Sequence, residues 1–298
     1  MHLNLFFKGS GFSATPLFVY QFYRIISLVV FAGFVGLWLA PGTIGPWTAF
    51  VAIVCIAAGA GASGAINMWY DQDIDRVMRL TMGRPIPAGR MRPIEALAVG
   101  ILLGIASVGA MAVLVNAVAA GLLALTILYY VLIYTVWLKR RTPQNIVIGG
   151  ASGALPPMIG WAAVTGDVGL GAIALFAIIF LWTPPHSWAL ALYRNADYAA
   201  AGVPMMPVVA GSRHTKRLML AYTALLVPAT LAPVAIGMSG WPYGIAALAL
   251  GAVLAGHAIR LARDPGVGPA RPMFLYSILY LFLIFVALLA DRALARFV

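Results

Sequence analysis

The stretch Asn67-Met68-Trp69-Tyr70-Asp71-Gln72-Asp73-Ile74-Asp75-Arg76-Val77-Met78-Arg79-Leu80-Thr81-Met82-Gly83-Arg84-Pro85 decides how the rest of the chain is read. It holds three of the eight carboxylates and three of the nineteen Lys/Arg residues, directly after a long apolar run. Asn67, Asp71 and Asp75 stand at i, i+4 and i+8, so a helix would carry them down one side with a drift of roughly 40° per step. Asp73 would point away from that row. Oxygen ligands on consecutive turns suit Mg²⁺, which keeps waters and is completed by substrate phosphates. Arg79, Arg84 and Arg90 follow, and guanidinium groups match phosphate oxygens in pairs. A carboxylate row beside an arginine loop is what a magnesium-diphosphate site requires. The competing reading is a helix end carrying solvated charges. Against it, the acids begin at the inner end of an apolar span, where ionisable groups are usually functional.

Composition sets the class. Of the 298 residues 63% are hydrophobic and 9% charged, and the mean hydropathy is +0.96, which excludes an ordinary soluble domain. At about 20 apolar residues per crossing the length allows one domain, residues 1–298, of about nine spans. These are expected at Leu17–Ala40, Trp47–Tyr70, Ile94–Val115, Ala117–Leu138, Asn145–Val164, Val168–Trp188, Leu218–Gly237, Trp241–Leu261 and Met273–Ala290. Pro156-Pro157 and Pro184-Pro185 are expected to interrupt their helices, because proline lacks the amide proton and clashes with the preceding turn. The small-residue clusters Gly59, Gly61, Ser63, Gly64 and Gly149, Gly150, Ser152, Gly153 read as faces where helices approach closely.

A net charge of +11 raises the question of nucleic acid, and its distribution answers it. Seventeen basic residues fall at one set of span ends: Lys8, Arg24, Arg76, Arg79, Arg84, Arg90, Arg92, Lys139, Arg140, Arg141, Arg194, Arg213, Lys216, Arg217, Arg260, Arg263 and Arg271. Only Arg292 and Arg296 fall at the other. The positive-inside rule then puts the N-terminus in the cytoplasm and the C-terminus outside, in the cell inner membrane. Basic groups beside an anionic leaflet need no nucleic-acid partner. No cleavable leader is apparent, since Pro41 follows the small-residue candidate site and the first apolar run is long enough to span. The sole cysteine, Cys55, lies mid-span, so disulfides and thiolate metal sites within one chain are excluded.

The second half of the expected site follows span six, over Thr183–Tyr198 and Ala201–Pro207. If the segment is helical after its prolines, His186, Leu190, Arg194 and Asp197 share a face. Asp197 is the one carboxylate in this loop and a candidate for a second metal position opposite Asp71 and Asp75, with Arg194 on phosphate. An Arg194–Asp197 ion pair at i+3 is the alternative. A third loop supplies Tyr134, Thr135 and Lys139-Arg140-Arg141, with Lys139 a candidate phosphate contact and span-end anchoring the alternative. His186 is either a functional group or a histidine bonded to a neighbouring helix. His214, in a soluble-looking basic turn, and His257, alone on span eight, are weaker candidates, and His2 belongs to the terminus.

Asn67-x-x-x-Asp71-x-x-x-Asp75 with the Arg84-Pro85 turn resembles the first aspartate-rich motif of the UbiA superfamily of intramembrane prenyltransferases. Arg84-Pro85-Ile86-Pro87-Ala88-Gly89-Arg90, the run Leu138–Gly150 and the segment Thr183–Pro207 narrow the resemblance to the heme-farnesylating branch. The resemblance covers nearly the whole chain. It implies an all-α polytopic bundle of nine transmembrane helices that moves a farnesyl group from farnesyl diphosphate to a vinyl group of heme b, with water supplying a hydroxyl. It further implies Mg²⁺ as cofactor and heme b as substrate. Asn67, Asp71, Asp75 and Asp197 would be ligands, Arg84 and Lys139 phosphate contacts, and Arg79, His186 and Arg194 substrate-binding residues. Product heme O would serve terminal oxidases, directly or through a heme A synthase, with oxidase assembly factors as further partners. Three positions depart from the family pattern: Met68 where many relatives have Asp, Leu80 where an arginine is usual, and Tyr193 four residues before Asp197 in place of a second acid.

Such chemistry needs cations to neutralise the leaving diphosphate and an apolar cavity to keep water from the farnesyl cation. Trp69, Tyr70, Tyr134, Trp182 and Trp188 lie near the expected mouth, as members of an interfacial aromatic belt would too. A hydroxybenzoate-like acceptor would keep the same site. A transporter or a heme chaperone would also place charge or heme in the membrane, without needing the Asp row beside the arginine loop.

Overall fold

The computed structural model describes the backbone of residues 16–294 and the side chains of residues 27–294. His2, Lys8, Arg296 and the Arg24 side chain lie outside the described residues. The described chain is helical, in the order α1 (Pro16–Leu39), α2 (Pro46–Tyr70), α3 (Gln72–Val77), α4 (Pro93–Leu114) and α5 (Ala117–Leu128), which runs on into a π-helical segment, Tyr129–Leu138. Then come α6 (Asn145–Ala154), α7 (Pro156–Thr165), α8 (Leu170–Tyr193), α9 (Asn195–Ala200), α10 (Met206–Ala229), α11 (Ala232–Ala235), α12 (Trp241–Arg263) and α13 (Ala270–Leu294). Eight stretches are long and apolar enough to cross a membrane, with α6–α7 and α10–α11 each counting once, and α1 adds an apolar helix over Ser27–Leu39. Large apolar side chains such as Leu102, Ile105 and Val113 remain exposed on α4, as a bilayer-facing surface requires.

Backbone-to-backbone approach holds the bundle where two glycines meet a neighbour. A Cβ on Gly36 would stand 1.9 Å from the Pro157 carbonyl oxygen, and one on Gly160 1.9 Å from that of Gly33, so α1 and α7 pack without intervening side chains. Gly59, Gly149 and Gly150 instead make room for side chains, those of Leu123, Tyr134 and Thr183, whereas Gly153 borders open space. The almost loopless turn between α4 and α5 is closed by Asn116. Its carbonyl caps Ala119 N at 2.8 Å while its amide donates to Ala162 O at 2.8 Å on α7.

The prolines divide. Pro156-Pro157 opens α7 after a break at Leu155, as expected. Pro184-Pro185 does not break α8, which continues through both for 24 residues. Both prolines are buried between helices, and packing of this kind supports a proline-bearing transmembrane helix. Another correction concerns the seventh span. It begins at Met206, twelve residues before the expected Leu218, so that His214, Arg213 and Lys216 are helical rather than in a turn. Gly211 at φ +77° makes the kink that lets α10 start so early. Lys216 is buried there, its ammonium donating to the carbonyls of Asp264 and Gly266 at the end of α12.

Candidate active site

The Asn67–Asp75 segment is nearly the helix its spacing implies. Asp71 N bonds Asn67 O at 2.9 Å and Asp75 N bonds Asp71 O at 2.8 Å, with a kink at Asp71 where α2 gives way to α3. Asn67, Asp71 and Asp75 are buried, the two carboxylates almost completely, whereas the Asp73 side chain is 62% exposed. Buried carboxylates need partners, and each has them. The Arg84 Nη1 donates to both Asp75 oxygens, at 3.1 and 2.8 Å, and lies 3.5 Å from Asn67 Oδ1. Asp71 accepts from the Lys139 ammonium, from Asn67 Nδ2 at 2.8 Å and from Arg140 Nη2 at 3.3 Å. Desolvation pushes the Asp75 pKa up in spite of the Arg84 charge beside it.

Arg140 draws Asp73 into the same network through two hydrogen bonds of 2.7 Å, and its guanidinium sits 4.9 Å from the Tyr70 ring centroid. These hydrogen bonds hold Asp73 down at about 2 and raise the arginine further. Three carboxylates thus face three cations. The π-helical segment sets up this side of the site. Thr135 donates to Tyr130 O five residues back, at 2.9 Å, which leaves its oxygen to accept Asn67 Nδ2 at 3.2 Å. Thr135 therefore fixes which end of the Asn67 amide faces Asp71 and which faces Arg84.

The second motif packs beside the first. Ile74 and Met78 share an apolar cluster with Ala191, Val203 and Met205, with Tyr198 and Ala201 against it. Tyr198 lies within electrostatic reach of Tyr134, Arg84 and Asp197, and burial pushes its phenol up. Asp197 stands in the first turn of α9, 3.6 Å from Arg194, with its Oδ2 buried and lacking a hydrogen bond. The face shared by His186, Leu190, Arg194 and Asp197 is not continuous. Arg194 leaves helical geometry at φ −109°, ψ 20°, so α8 carries the first two residues and α9 the last. His186 instead meets α13, where Nδ1 is 2.7 Å from Ser277 Oγ. Arg79 is exposed on the turn after α3, without an ion pair to the row among the described residues.

The oxygen-only donor set of Asn67, Asp71 and Asp75 fits a hard cation such as Mg²⁺. Among the described residues no three His, Cys, Asp or Glu side chains gather closely enough to hold a metal unaided. A site of this kind needs oxygens from its substrate. Arg140 is the contributor that sequence reasoning passed over, because a basic residue at a span end already has an explanation in membrane anchoring. Ser277 carried no signal at all.

The model of the UbiA prenyltransferase family matches residues 29–289. A relative named protoheme IX farnesyltransferase 2, from Mesorhizobium japonicum, is 53% identical over 97% of this chain and 94% of its own. One named protoheme IX farnesyltransferase, from Acidiphilium cryptum, is 56% identical over 90% of this chain and 88% of its own. Among solved structures, a digeranylgeranylglyceryl phosphate synthase has a TM-score of 0.77 at 17% identity, covering 92% of this chain and 96% of its own. A UbiA homolog from Archaeoglobus fulgidus, described as bound to DMAPP and Mg²⁺, has a TM-score of 0.63 at 15% identity, covering 90% and 99%. With its helical bundle, the paired motifs at one end and a family match over most of its length, this chain belongs to the UbiA prenyltransferase family.

Proposed function

We propose that this chain transfers the farnesyl group of farnesyl diphosphate to a vinyl group of heme b, giving heme O. The observation that carries the reading is the 53–56% identity, over nine-tenths of the chain or more, to relatives named protoheme IX farnesyltransferase. The buried acid–base network supports it, since this arrangement suits an anionic leaving group. Asn67, Asp71, Asp75 and Asp197 would hold Mg²⁺, which when bound neutralises charge on the diphosphate oxygens.

The residues of the chain do the rest. Arg84, Lys139 and Arg140 exchange their carboxylate partners for diphosphate oxygens and stabilise the charge that develops as the allylic C–O bond breaks. The bonding pair leaves with diphosphate. The vinyl π electrons then form the new C–C bond to the farnesyl carbon, and water captures the resulting cation beside the porphyrin ring and loses a proton. The Tyr130 and Tyr134 rings, 5.3 Å apart, lie with Tyr198 within electrostatic reach of Arg84 and would limit water access before that capture. The basic asymmetry supports a site that opens at the cytoplasmic face of the inner membrane, with the farnesyl diphosphate head on the water side and heme b on the lipid side.

Chromatography of hemes extracted from cells with and without the chain tests the reading. Heme O, or a product made from it, should appear only when the chain is expressed. It should disappear with Asp71→Asn while the protein remains extractable and folded, a loss of about 10²–10³-fold in turnover. Unchanged heme content on expression, or full activity in Asp71→Asn, overturns it.

A further inference from the structure

Positive charge is answered unevenly at the end of the bundle that carries the aspartate row. Arg84, Lys139, Arg140, Arg92 and Arg194 each face a carboxylate. Across α10, α12 and α13 at that end the arginines stand alone. Arg213, Arg217, Arg260, Arg263 and Arg271 are all exposed, and none forms an ion pair among the described residues. Asp264, the carboxylate between Arg263 and Arg271, accepts from Gly266 N at 2.7 Å and closes the turn after α12. Lys216 gathers the cluster. Its ammonium donates to the carbonyls of Asp264 and Gly266, which pins the α12–α13 turn beside the part of α10 that carries Arg213 and Arg217. The start of α13 lies at the diphosphate end of the bundle, since Phe274 meets Tyr193 at the last residue of α8.

Apolar surface continues from these arginines into the membrane. On α13, Arg271, Leu275, Leu279 and Phe282 stand at i, i+4, i+8 and i+11, and all four are exposed. On α12, Ala249, Val253, Gly256 and Arg260 form a matching exposed row. A Cβ on Gly256 would meet nothing within 4 Å, so no neighbouring side chain fills the middle of that row. The two helices are held side by side by the His257 and Tyr276 rings, 5.0 Å apart, and by the Tyr276 phenol, which donates to Leu250 O at 3.0 Å. Each row therefore has an arginine at the membrane surface and hydrocarbon below it, the same order of groups that a phospholipid presents.

We propose that the α12–α13 face binds an anionic phospholipid with two phosphates in one headgroup, the phosphates on Arg260, Arg263 and Arg271 and the acyl chains along the two apolar rows. Guanidinium groups match phosphate oxygens in pairs, and the three contacts offered are all arginine. Basic clusters between transmembrane helices suit lipid headgroups of this kind. Two phosphates on one glycerol reach arginines on both helices through a single lipid, so the second contact needs no second binding event. Arg213 and Arg217 add to the attraction from across the pinned turn. An acidic protein would answer the charge and leave the apolar rows unused. The proposal is independent of the farnesyl-transfer reading, because the lipid binds outside the diphosphate network.

The test is native mass spectrometry of the delipidated full-length chain in detergent, titrated separately with tetraoleoyl diphosphatidylglycerol, dioleoyl phosphatidylglycerol and dioleoyl phosphatidylcholine. The wild type should take up one diphosphatidylglycerol at least tenfold more tightly than either of the others. At about fivefold per arginine, Arg260→Gln/Arg263→Gln/Arg271→Gln should weaken that binding about a hundredfold. Arg76→Gln/Arg141→Gln, which removes exposed charge elsewhere at the same end, should leave it within twofold of wild type. Arg260→Gln alone should show about a fivefold loss and keeps the test readable should the triple variant fail to fold. Equal affinity for phosphatidylcholine overturns the site, and equal affinity for phosphatidylglycerol overturns the two-phosphate assignment. A loss in Arg76→Gln/Arg141→Gln as large as in the triple variant would show that total charge, and not this face, attracts the lipid. A wild type that retains none of the three lipids overturns the proposal and leaves the arginines to an acidic protein.

Discussion

Replacing Arg84 by methionine should unfold the chain at a lower temperature, and a second substitution should restore most of the loss. Asp75 is 1% exposed, and both of its oxygens accept from the Arg84 guanidinium at 3.1 and 2.8 Å. Lys139, the other cation within electrostatic reach, is bonded to Asp71. Arg84→Met therefore leaves a buried carboxylate without its counter-charge, a change that typically costs 3–5 kcal/mol. The Arg84 side chain is 26% exposed, so water can partly replace it, and the low end of the range applies, about 3 kcal/mol. At roughly 2–4 °C per kcal/mol for a chain of this size, the melting temperature should fall by about 6–12 °C. In Arg84→Met/Asp75→Asn the charge is gone too, and most of the stability should return while heme O formation stays absent. The assay is thermal unfolding of the three proteins in one detergent. A double variant as unstable as the single one would show that the loss reflects packing of the arginine stem, and the argument from an unpaired buried charge would be wrong.

Lys139→Met should be milder in stability, about 1 kcal/mol, because Asp71 keeps Arg140 at 3.3 Å and Asn67 at 2.8 Å. Its farnesyl diphosphate KM should nonetheless rise about tenfold, the worth of a charge-assisted contact; an unchanged KM takes Lys139 out of the phosphate site. Asp73→Asn should leave most activity, since exposed ion pairs are worth about 0–1 kcal/mol, and a loss equal to that of Asp71→Asn would place Asp73 among the essential acids. Gly160→Ala should cost about 1–3 kcal/mol by forcing α1 from α7, and wild-type melting of that variant would refute the close approach. Single cysteines introduced at the two termini should react with an impermeant reagent from opposite sides of the membrane. Labelling of both from one side would rule out an odd number of crossings.

The spans were legible because a bilayer forces each one to be long, apolar and internally bonded, so nine windows of hydropathy carry most of the architecture. Ala117–Leu138 and the start of the eighth span at Trp241 were placed without error. The misjudged boundaries share a cause. Pro184-Pro185 reads as a break in any local rule, yet buried packing of α8 on its neighbours carries the helix through. Conversely, Arg213, His214 and Lys216 read as a polar turn. The chain there is helical because Lys216 finds two carbonyls at the end of α12, nearly fifty residues away. Local pattern cannot see a partner at that separation.

The same limit divides the site. Asn67, Asp71 and Asp75 announce themselves because their spacing equals the helix repeat, and the structure puts all three on the buried side and Asp73 outside. Nothing local says that Asp73 pairs with Arg140, 67 positions on, or that Thr135 turns the Asn67 amide. Both contacts depend on the π-helical segment, whose wider turn makes Thr135 bond Tyr130 five residues back and places Lys139 after Tyr134 in the same register. An α-helical reading of Tyr129–Leu138 rotates each of these side chains away from where it is found. The second motif shows the reverse case, a face that fits four residues on paper and fails because α8 stops at Arg194. What the spacing rules deliver is therefore a set of chemically competent groups. Which of them meet is decided by helix irregularities at Asp71, Tyr129–Leu138 and Arg194, and all three lie within the site or against it.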